Sequence, residues 1–287
     1  MGLVAICPNP FRDIGLELTK KAIEILNDAG YETVVCPVFG KDEPGAIPED
    51  VETVGWDDAA KVASLFVIIG GDGTVLNTAR SLDHISTPLL GVNLGTKGFM
   101  ASLEPSDINK ILVAAAGEYV SSIRMMIDVQ LVRDGKVIYS ECALNDAVIH
   151  GMGNCIKLTA WCNGDRIVSF SGDGIVIATP TGSTGYSMSA GGPIVEPEAK
   201  NILVSPICAH VIGAKNFVLS SKHLVSVKAE KIHDRRAYLS VDGDDGVDIL
   251  NDDIVIVKQS EKYVNLINMG TRSFYDQTFD KLLYKNI

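Results

Sequence analysis

The first 120 residues of the chain alternate short apolar runs with stretches of helical periodicity. Apolar or β-branched runs predict buried strands over residues 3–7, 31–38, 65–69 and 88–93. Helices are predicted between and after them, over residues 14–29, 74–82 and 106–117. Gly30 ends the first helix, Ser106 is predicted to cap the last, and the Gly- and Pro-rich residues 40–55 are predicted to be a loop. Strands that alternate with helices favour a parallel sheet covered by helices.

The pattern changes near Ile123, where apolar and polar residues begin to alternate singly. Asp-Gly at 134–135 and Asn-Gly at 163–164 each stand between alternating segments, which is a strong signal for a tight β-hairpin. Further β-type runs follow over residues 175–178, 224–227, 237–241 and 254–257. The second half of the chain is therefore predicted to be rich in β-strands.

Length and composition agree with two domains. The chain has 287 residues, and about 150 residues per domain is a common size. Hydrophobic residues make up 46% and charged residues 21%, which excludes intrinsic disorder and fibrous repeats. We predict an α/β domain with a parallel sheet over residues 1–122 and a β-rich domain over residues 123–268. The C-terminal segment, residues 269–287, is predicted to pack back on the first domain.

The balance of charge excludes two classes of partner. The chain has 25 Lys and Arg residues and 36 Asp and Glu residues, so its formal net charge is −11. A chain this acidic lacks the clustered basic residues with which proteins bind nucleic acid or an anionic membrane. It can still bind small anions, because backbone amides and metal ions attract phosphate locally.

The N-terminus and the cysteines predict a cytoplasmic protein. The sequence MGLVAICPNP lacks the charged region and long apolar stretch of a signal peptide. The longest apolar run, residues 62–69, is too short to span a bilayer. Six scattered cysteines form no CxxC pair, so we expect reduced thiols, with neither a disulfide framework nor a zinc site.

The segment Gly70-Gly71-Asp72-Gly73-Thr74 lies between a predicted strand and a predicted helix. Consecutive glycines let the backbone approach a ligand closely, and the N-terminus of the helix offers N–H groups to phosphate. The segment lacks the Lys of a Walker A loop and the third glycine of the dinucleotide-binding fingerprint. A carboxylate among such amides favours a base that accepts a proton from an alcohol attacking a phosphoryl group. The alternative is a tight turn in which Asp72 only caps the helix.

Two further segments carry polar groups suited to a nucleotide. The run TPTGSTGYSMSAGGP, residues 179–193, is rich in Gly, Ser and Thr, stands between apolar segments and contains the ring of Tyr186. These groups suit sugar hydroxyls, an adenine edge and a stacked base. Asn145-Asp146 places an amide beside a carboxylate, and together they suit a ribose diol. A flexible loop and an ordinary turn are the respective alternatives.

Taken together, these segments resemble the NAD kinase family. The motifs GGDGT, GVNLGTKGF, LNDAV and DGIVIATPTGSTGYSMSAGGP occur in this order and cover residues 70–193. GGDGT alone is shared with diacylglycerol, sphingosine and phosphofructokinase-type kinases, whereas the long Gly-, Ser- and Thr-rich motif is highly specific. Members of the family transfer the γ-phosphoryl group of ATP, or in some members of polyphosphate, to the 2′-hydroxyl of the adenosine ribose of NAD. The resemblance implies an α/β N-terminal domain, a β-rich C-terminal domain and a C-terminal segment that returns to the first.

The resemblance also implies roles for individual residues. Asp72 would accept the proton of the 2′-hydroxyl. Asn145 and Asp146 would bind the ribose and adenine side of NAD, and Asp173 would meet the nicotinamide end. The residues implied at the phosphate loop are Gly70, Gly71, Gly73, Thr74, Asn93 and Gly95. The residues implied at NAD are Asp72, Gly73, Asn145, Asp146, Asp173, Thr184, Gly185, Tyr186, Ser187, Met188, Ser189 and Asp244.

Three positions depart from the family pattern. Lys97 stands where the family usually has an apolar residue, and it either contacts a phosphate or is solvated. Gly185 replaces the commoner Ala, and Asp244 stands where an amide is frequent, so both bear on the shape of the adenine pocket. The family further implies Mg²⁺ bound with ATP, since the metal then neutralises the triphosphate, and a homodimer or homotetramer.

Other functions fit parts of the pattern. A lipid kinase shares the glycine-rich segment, but the polar residues 179–189 do not suit an acyl groove. A non-catalytic sensor of NAD or NADP would keep the fold, although Asp72 and Asn145 argue against it. A dehydrogenase is disfavoured by the missing third glycine. The donor (ATP or polyphosphate), the form of the acceptor (NAD or NADH) and feedback by NADP or NADPH stay open.

Overall fold

The computed structural model of the chain describes residues 2–39, 46–82, 86–95, 98–230, 232, 236–271 and 273–283. Lys97 and part of the predicted loop, residues 40–45, lie outside these ranges. The chain divides into two compact units. Unit 1 is Met1–Ile123 with Val264–Ile287, and unit 2 is Arg124–Tyr263.

Unit 1 carries a parallel sheet with helices packed on it. Its strands are β1 (Leu3–Pro8), β2 (Glu32–Val35), β3 (Ala63–Gly70) and β4 (Leu89–Asn93). Its helices in this part of the chain are α1 (Glu17–Asp28), α2 (Trp56–Val62), α3 (Asp72–Ser81) and α4 (Ile111–Ala115), and 3-10 turns occupy Ile14–Leu16 and Pro105–Lys110. The strands lie in the order β2-β1-β3-β4, and each pairs with its neighbour in parallel.

Strand burial and register decide where the glycine-rich segments lie. β3 and β4 are apolar along nearly their whole length, as expected for parallel strands with both faces covered. One face packs against α1 and α4, and on the other Phe66 stacks on Trp56 of α2 with ring centroids 6.5 Å apart. Gly70 pairs with Asn93 at the ends of β3 and β4. The two segments that follow these strands therefore leave the sheet side by side.

Unit 2 is formed by antiparallel strands, of which the first begins and the last ends within unit 1. They are β5 (Val120–Arg133), β6 (Lys136–Ala143), β7 (Asp146–Gly151), β8 (Ile156–Cys162), β9 (Asp165–Gly172), β10 (Gly174–Ala178), β11 (Asn201–Ile207), β12 (Phe217–Ser220), β13 (Val225–Glu230), β14 (Ala237–Val241), β15 (Val247–Ile249) and β16 (Ile254–Asn268). One sheet has the order β12-β11-β10-β7-β14-β15. The other runs β16-β13-β8-β9, and β5 pairs with β6 and with β16. Short helical turns occupy Thr181–Thr184 and α5 (Tyr186–Ser189).

The core of unit 2 lies between its two sheets. Ile149 and Ile177 from the first sheet belong to the same buried cluster as Leu158 and Val227 from the second. These side chains occupy alternate positions of their strands, which is the pattern of two sheets packed face to face. The cluster holds β7 and β10 rigidly, and the polar segments at Asn145 and after Ala178 begin at the ends of these two strands.

The predicted α/β fold class, with a parallel sheet followed by a β-rich part, is confirmed. Both predicted hairpin turns have the positive φ angles that a type I′ turn needs, 50° and 73° at 134–135 and 50° and 92° at 163–164. Gly and Asn or Asp tolerate this backbone region better than other residues, so the turn residues themselves set the register of β5–β6 and β8–β9.

One local prediction was wrong, and one helix was not predicted. Ser106 does not cap a helix: the 3-10 turn before α4 begins at Pro105, so Glu104 is the N-cap residue. Proline favours the first helical position because its φ is already helical and it needs no hydrogen-bond acceptor. Helix α2 was not predicted, since its seven residues are too few to show helical periodicity. The polar run after residue 179 contains two helical turns, so the alternative of a flexible loop does not describe it.

The C-terminal segment belongs to unit 1. Leu266 of β16 pairs in parallel with Leu89 of β4. Beyond the strand, the Thr271 hydroxyl donates to the Ser102 carbonyl oxygen at 2.6 Å. Helix α6 (Phe274–Leu283) follows, and its first ring lies 6.1 Å from the ring of Phe99. Among the residues that the structure describes, no helix combines the length and apolar character needed to cross a bilayer.

Candidate functional site

In unit 1, residues 70–74 turn directly from β3 into α3. Gly71 is the N-cap residue, and its carbonyl oxygen accepts the N–H groups of Thr74 at 2.9 Å and Val75 at 3.2 Å. The N–H groups of Asp72 and Gly73 precede the first helical hydrogen bond, so they are the donors that a helix N-terminus presents to an anion. Gly73 is exposed and has open space around its Cα.

The Asp72 carboxylate is held by the neighbouring loop. Its Oδ2 accepts the N–H of Phe99 at 2.7 Å, and its Oδ1 accepts the N–H of Met100 at 3.1 Å. A Cβ on Gly98 would overlap Oδ1, so only glycine fits at that position. Asp72 is therefore not a helix cap, and the alternative of a capped turn is wrong. Each carboxylate oxygen still has a lone pair with which to accept a proton.

Asn93 and Gly95 lie beside this turn, after β4. Asn93 is 3% exposed, and neither its Oδ1 nor its Nδ2 has a hydrogen-bond partner in the described part of the chain. Gly95 has φ of +140°, which L side chains rarely adopt. A buried amide without a partner costs free energy, which a ligand with polar oxygens would recover. The structure thus brings the predicted phosphate-loop residues to one edge of the parallel sheet.

In unit 2, the Asn145-Asp146 pair is held by Asp242, which stands two residues before Asp244, a residue that the resemblance implies at NAD. The carboxylate of Asp242 accepts three backbone N–H groups, from Leu144 at 2.8 Å, Asn145 at 2.8 Å and Asp146 at 3.0 Å. Asp242 is itself buried and has φ of +52°. The signal in the sequence was Asp242-Gly243, a turn-forming pair directly after a β run.

Near Asn145, the pKa of the Asp146 carboxyl group is raised. It is 7% exposed, and a Cβ on Gly185 would lie 3.9 Å from its Oδ2. Burial raises the pKa of Asp146 from its ordinary 3.8 to about 7, and the nearby Asp242 carboxylate adds to the increase. The Asp146 carboxyl therefore exchanges a proton near neutral pH, which lets it donate as well as accept a hydrogen bond.

The turn after β10 packs against Asn145. The Thr179 hydroxyl donates to the Leu144 carbonyl oxygen at 2.5 Å and accepts the N–H of Gly182 at 3.1 Å. A Cβ on Gly182 would overlap the Asn145 carbonyl oxygen, so the close approach requires glycine. The Oδ1 of Asn145 and the Oγ1 of Thr181 are buried, and neither has a partner among the described residues. These two oxygens are polar groups that a sugar or a base could satisfy.

The remaining predicted residues of unit 2 differ in accessibility. Thr184 donates to the Thr181 carbonyl oxygen at 3.3 Å, Met188 is half-buried and Ser189 is exposed. Tyr186 is 39% exposed and is therefore accessible to a ligand. Ser187, in contrast, is fully buried, and its hydroxyl faces that of Ser205 at 3.1 Å.

Asp173 and Asp244 are engaged elsewhere in the unit. Asp173 precedes β10 and so lies at the opposite end of that strand from the Asn145 corner. A hydrogen bond to Asp173 raises the pKa of the exposed Cys208 thiol. The carboxylate of Asp244 accepts the Tyr139 hydroxyl at 2.7 Å and the Val241 N–H at 2.8 Å, so it stabilises its own loop.

Comparison with known proteins finds two matching family models and similar proteins along the chain. The family model for the ATP-NAD kinase N-terminal domain matches residues 4–118, and that for the ATP-NAD kinase C-terminal domain matches residues 144–269. A curated protein from Acetivibrio thermocellus named NAD kinase is 32% identical over 276 residues, which are 95% of this chain and 94% of that protein.

Two solved structures share the fold. Yeast NADH kinase, complexed with NADH, superposes with a TM-score of 0.86 at 23% identity, covering 100% of this chain and 88% of that one. An NAD kinase from Archaeoglobus fulgidus, in complex with ATP, superposes with a TM-score of 0.73 at 22% identity, covering 96% of this chain and 97% of that one. At these identities the likeness concerns the fold alone.

Proposed function

The chain belongs to the NAD kinase family, and we propose that it transfers the γ-phosphoryl group of ATP to the 2′-hydroxyl of the adenosine ribose of NAD, giving NADP. The observation that carries the reaction is the Asp72 carboxylate, which lies in the first turn of α3 at a glycine-rich loop. A carboxylate among amides that bind anions would repel phosphate, unless it accepts a proton from a reacting hydroxyl or binds a metal ion. The position of Asp72 therefore supports its role as the base.

In the proposed reaction Asp72 takes the proton of the attacking hydroxyl. The ribose oxygen forms a bond to the γ-phosphorus, the bond from that phosphorus to the bridging oxygen of ADP breaks, and ADP leaves with the electron pair. Two N–H groups, from Phe99 and Met100, fix the direction of the carboxylate. Such positioning supplies most of the rate when the transition state is loose, because little activation of the nucleophile is then required.

We further propose that unit 2 binds the adenosine half of NAD. The unpartnered oxygens of Asn145 and Thr181 and the proton-exchanging carboxyl of Asp146 offer both acceptors and a donor to ribose hydroxyls and adenine. Tyr186 offers an accessible ring for stacking. Asp173 is proposed to meet the nicotinamide end, because β10 separates it from this corner by five residues. Five residues of strand span about 17 Å, which suits an extended dinucleotide.

A divalent cation, Mg²⁺, is proposed to accompany the donor. Mg²⁺ binds the phosphate oxygens of a nucleotide and keeps several of its waters, so the ion would be carried by ATP. The ion would neutralise charge on the phosphate chain. We also propose a cytoplasmic location, in keeping with six cysteines that form no disulfide, and a homodimer or homotetramer, as the family resemblance implies.

The reaction is tested by incubating the protein with ATP, Mg²⁺ and NAD, and detecting NADP with an NADP-specific dehydrogenase. Asp72→Asn keeps the shape of the side chain but removes its basicity, so we expect kcat to fall by about two orders of magnitude or more, with a small change in NAD affinity. Asp57→Asn is the matched control, because Asp57 is an exposed residue in the first turn of α2. Near-normal turnover by Asp72→Asn would remove Asp72 from the base role.

The same experiment separates the enzyme from a non-catalytic sensor. If wild-type protein forms no NADP but binds NAD tightly in calorimetry, the sensor is the correct function. Replacing ATP by polyphosphate, and NAD by NADH, identifies the preferred donor and acceptor.

A further inference from the structure

Arg12 lies next to both glycine-rich segments of unit 1. Its Nη1 donates to the carbonyl oxygen of Leu94 at 3.0 Å. A Cβ on Gly71 would lie 3.8 Å from its guanidinium carbon, and a Cβ on Gly95 would overlap its Nη1. Gly95 therefore leaves the space that the guanidinium group occupies, and the group borders the loops after β3 and after β4.

The backbone on both sides of Arg12 is fixed. The Asn9 Nδ2 donates to the Thr74 hydroxyl at 3.2 Å, and the N–H of Arg12 donates to the Asn9 carbonyl oxygen at 3.0 Å. On the other side, Asp13 is 4% exposed, and its carboxylate accepts N–H groups from the first turn of α1 at 2.9 Å. These contacts tie residues 9–13 to α3 and to α1, so Arg12 is presented by a rigid support, which limits the entropy lost when its side chain binds a ligand.

The charge of Arg12 is not neutralised by a carboxylate of the described chain within 4.0 Å. Arg133 shows the contrast, because it is paired with the buried Asp253 at 2.7 Å. In a chain of net charge −11, an exposed guanidinium group that borders two glycine loops and lacks such a partner is suited to an anionic ligand.

A second observation points to a ligand at the same edge of the sheet. Asn93, 3% exposed, has an amide whose two polar atoms lack partners among the described residues, and it pairs in register with Gly70. The first N–H groups of α3 follow Gly71 directly. Fork-shaped donors of Arg, an amide and helix N-terminal N–H groups are together the donor set that proteins use for phosphate.

We propose that Arg12 binds the phosphate chain of the nucleotide donor at the two glycine loops. This inference rests on the proposed function. The γ-phosphorus of the donor must lie within bonding distance of the hydroxyl that Asp72 deprotonates, so the phosphate chain of the donor is expected beside the loops that border Asp72. Arg12 borders Gly71, the residue that precedes Asp72, so its guanidinium group is placed to neutralise oxygens of the transferred or adjacent phosphoryl group. Binding of the NAD pyrophosphate by Arg12 is the outcome that would overturn this assignment.

The kinetic test compares Arg12→Ala, Arg12→Lys and wild type. Loss of charge-assisted hydrogen bonds to phosphate is expected to raise KM for ATP by about 10- to 100-fold, while KM for NAD changes by less than about twofold. Arg12→Lys keeps the charge but not the fork, so its KM for ATP should fall between the other two. Lys20→Ala is the matched control, because it removes one positive charge from α1, where Lys20 pairs with Asp50 on the surface.

Three kinetic results would overturn the inference. They are an unchanged KM for ATP in Arg12→Ala, a rise in KM for NAD in place of KM for ATP, and an Arg12→Lys variant no better than Arg12→Ala. A stability defect does not explain the expected result, since the hydrogen bond that Arg12 donates is an exposed one and Arg12→Lys retains a long side chain.

Calorimetry with inorganic tripolyphosphate separates this inference from the proposed function. The measurement needs no turnover, so loss of tripolyphosphate binding in Arg12→Ala supports the inference even if wild-type protein forms no NADP. Wild-type NADP formation together with equal tripolyphosphate affinity in Arg12→Ala and wild type would instead support the function and overturn the role of Arg12.

Discussion

Replacing Asp146 by Asn should change the pH dependence of stability in a defined direction. The Asp146 carboxyl has a pKa of about 7 in the folded protein, against an ordinary value of 3.8, first because it is buried and then because Asp242 is close. Between these two values the folded state binds more protons than the unfolded state. The free energy of unfolding therefore falls as pH rises from about 4 to about 7. Above about pH 7 the carboxyl group is ionised in both states and causes no further change.

The magnitude follows from the two pKa values. The full difference between them corresponds to about 4 kcal/mol, and the part that lies between pH 5 and pH 8 corresponds to about 3 kcal/mol. Asp146→Asn replaces the carboxyl by a neutral amide of similar shape, so this contribution disappears. Relative to wild type, the free energy of unfolding of the variant should rise by about 3 kcal/mol when pH is raised from 5 to 8, because titrating groups that do not interact with residue 146 cancel in the comparison.

The assay is urea unfolding at pH 5, 6, 7 and 8, followed by tryptophan fluorescence. Trp161 lies in β8 of unit 2, and in a Trp56→Phe background it is the sole tryptophan and reports on the unit that contains Asp146. Asp165→Asn is the control, because Asp165 is exposed at the β8–β9 turn and should change stability by less than about 0.5 kcal/mol at every pH. A stability difference between Asp146→Asn and wild type that stays constant from pH 5 to pH 8 would refute the reasoning.

Three further predictions concern the loop that holds Asp72, the carboxylate that holds the Asn145-Asp146 pair, and the cation. Gly98→Ala places a Cβ on Asp72 Oδ1 and should lower kcat for NADP formation. Gly213→Ala is the control, because Gly213 has open space around it and the substitution should leave kcat unchanged. Equal kcat values for the two variants would contradict the role of the 98–100 loop. Asp242→Ala leaves three N–H groups without their acceptor and should lower the free energy of unfolding, measured by urea unfolding, by about 3 kcal/mol or more. Asp242→Asn keeps one acceptor oxygen, so its free energy of unfolding should fall by less. Chelation by EDTA should abolish NADP formation and excess Mg²⁺ should restore it, and activity that persists in EDTA would rule out the proposed cation.

Local sequence signals predicted the elements that carry the site. The strand before residue 70 and the helix after it follow from an apolar run, consecutive glycines and helical periodicity, all within about 20 residues. The two hairpins follow from Asp-Gly and Asn-Gly pairs, because few residues accept positive φ at adjacent positions. Helix α2 escaped prediction since seven residues do not complete the two turns over which an apolar stripe becomes visible.

Contacts between distant segments were not predictable in the same way. The carboxylate of Asp72 is oriented by residues 27 and 28 positions later in the chain, and the Asn145-Asp146 corner is held by Asp242, almost 100 positions later. Arg12 reaches the loop after β4 from the end of β1. No local pattern marks such pairs, because each partner has the composition of an ordinary turn or loop.

The sequence by itself determined the fold class, the family resemblance and the residue types available for phosphoryl transfer, since these depend on short-range periodicity and on motifs of a few residues. Only the tertiary structure decided how each carboxylate is held and how deeply it is buried. Strand register places Gly70 beside Asn93, main-chain donors orient Asp72 and hold Asp242, and burial beside Asp242 makes Asp146 titrate near neutral pH. The physical reason is that hydrogen-bond direction and desolvation depend on neighbours in space, and neighbours in space are set by packing rather than by position along the chain.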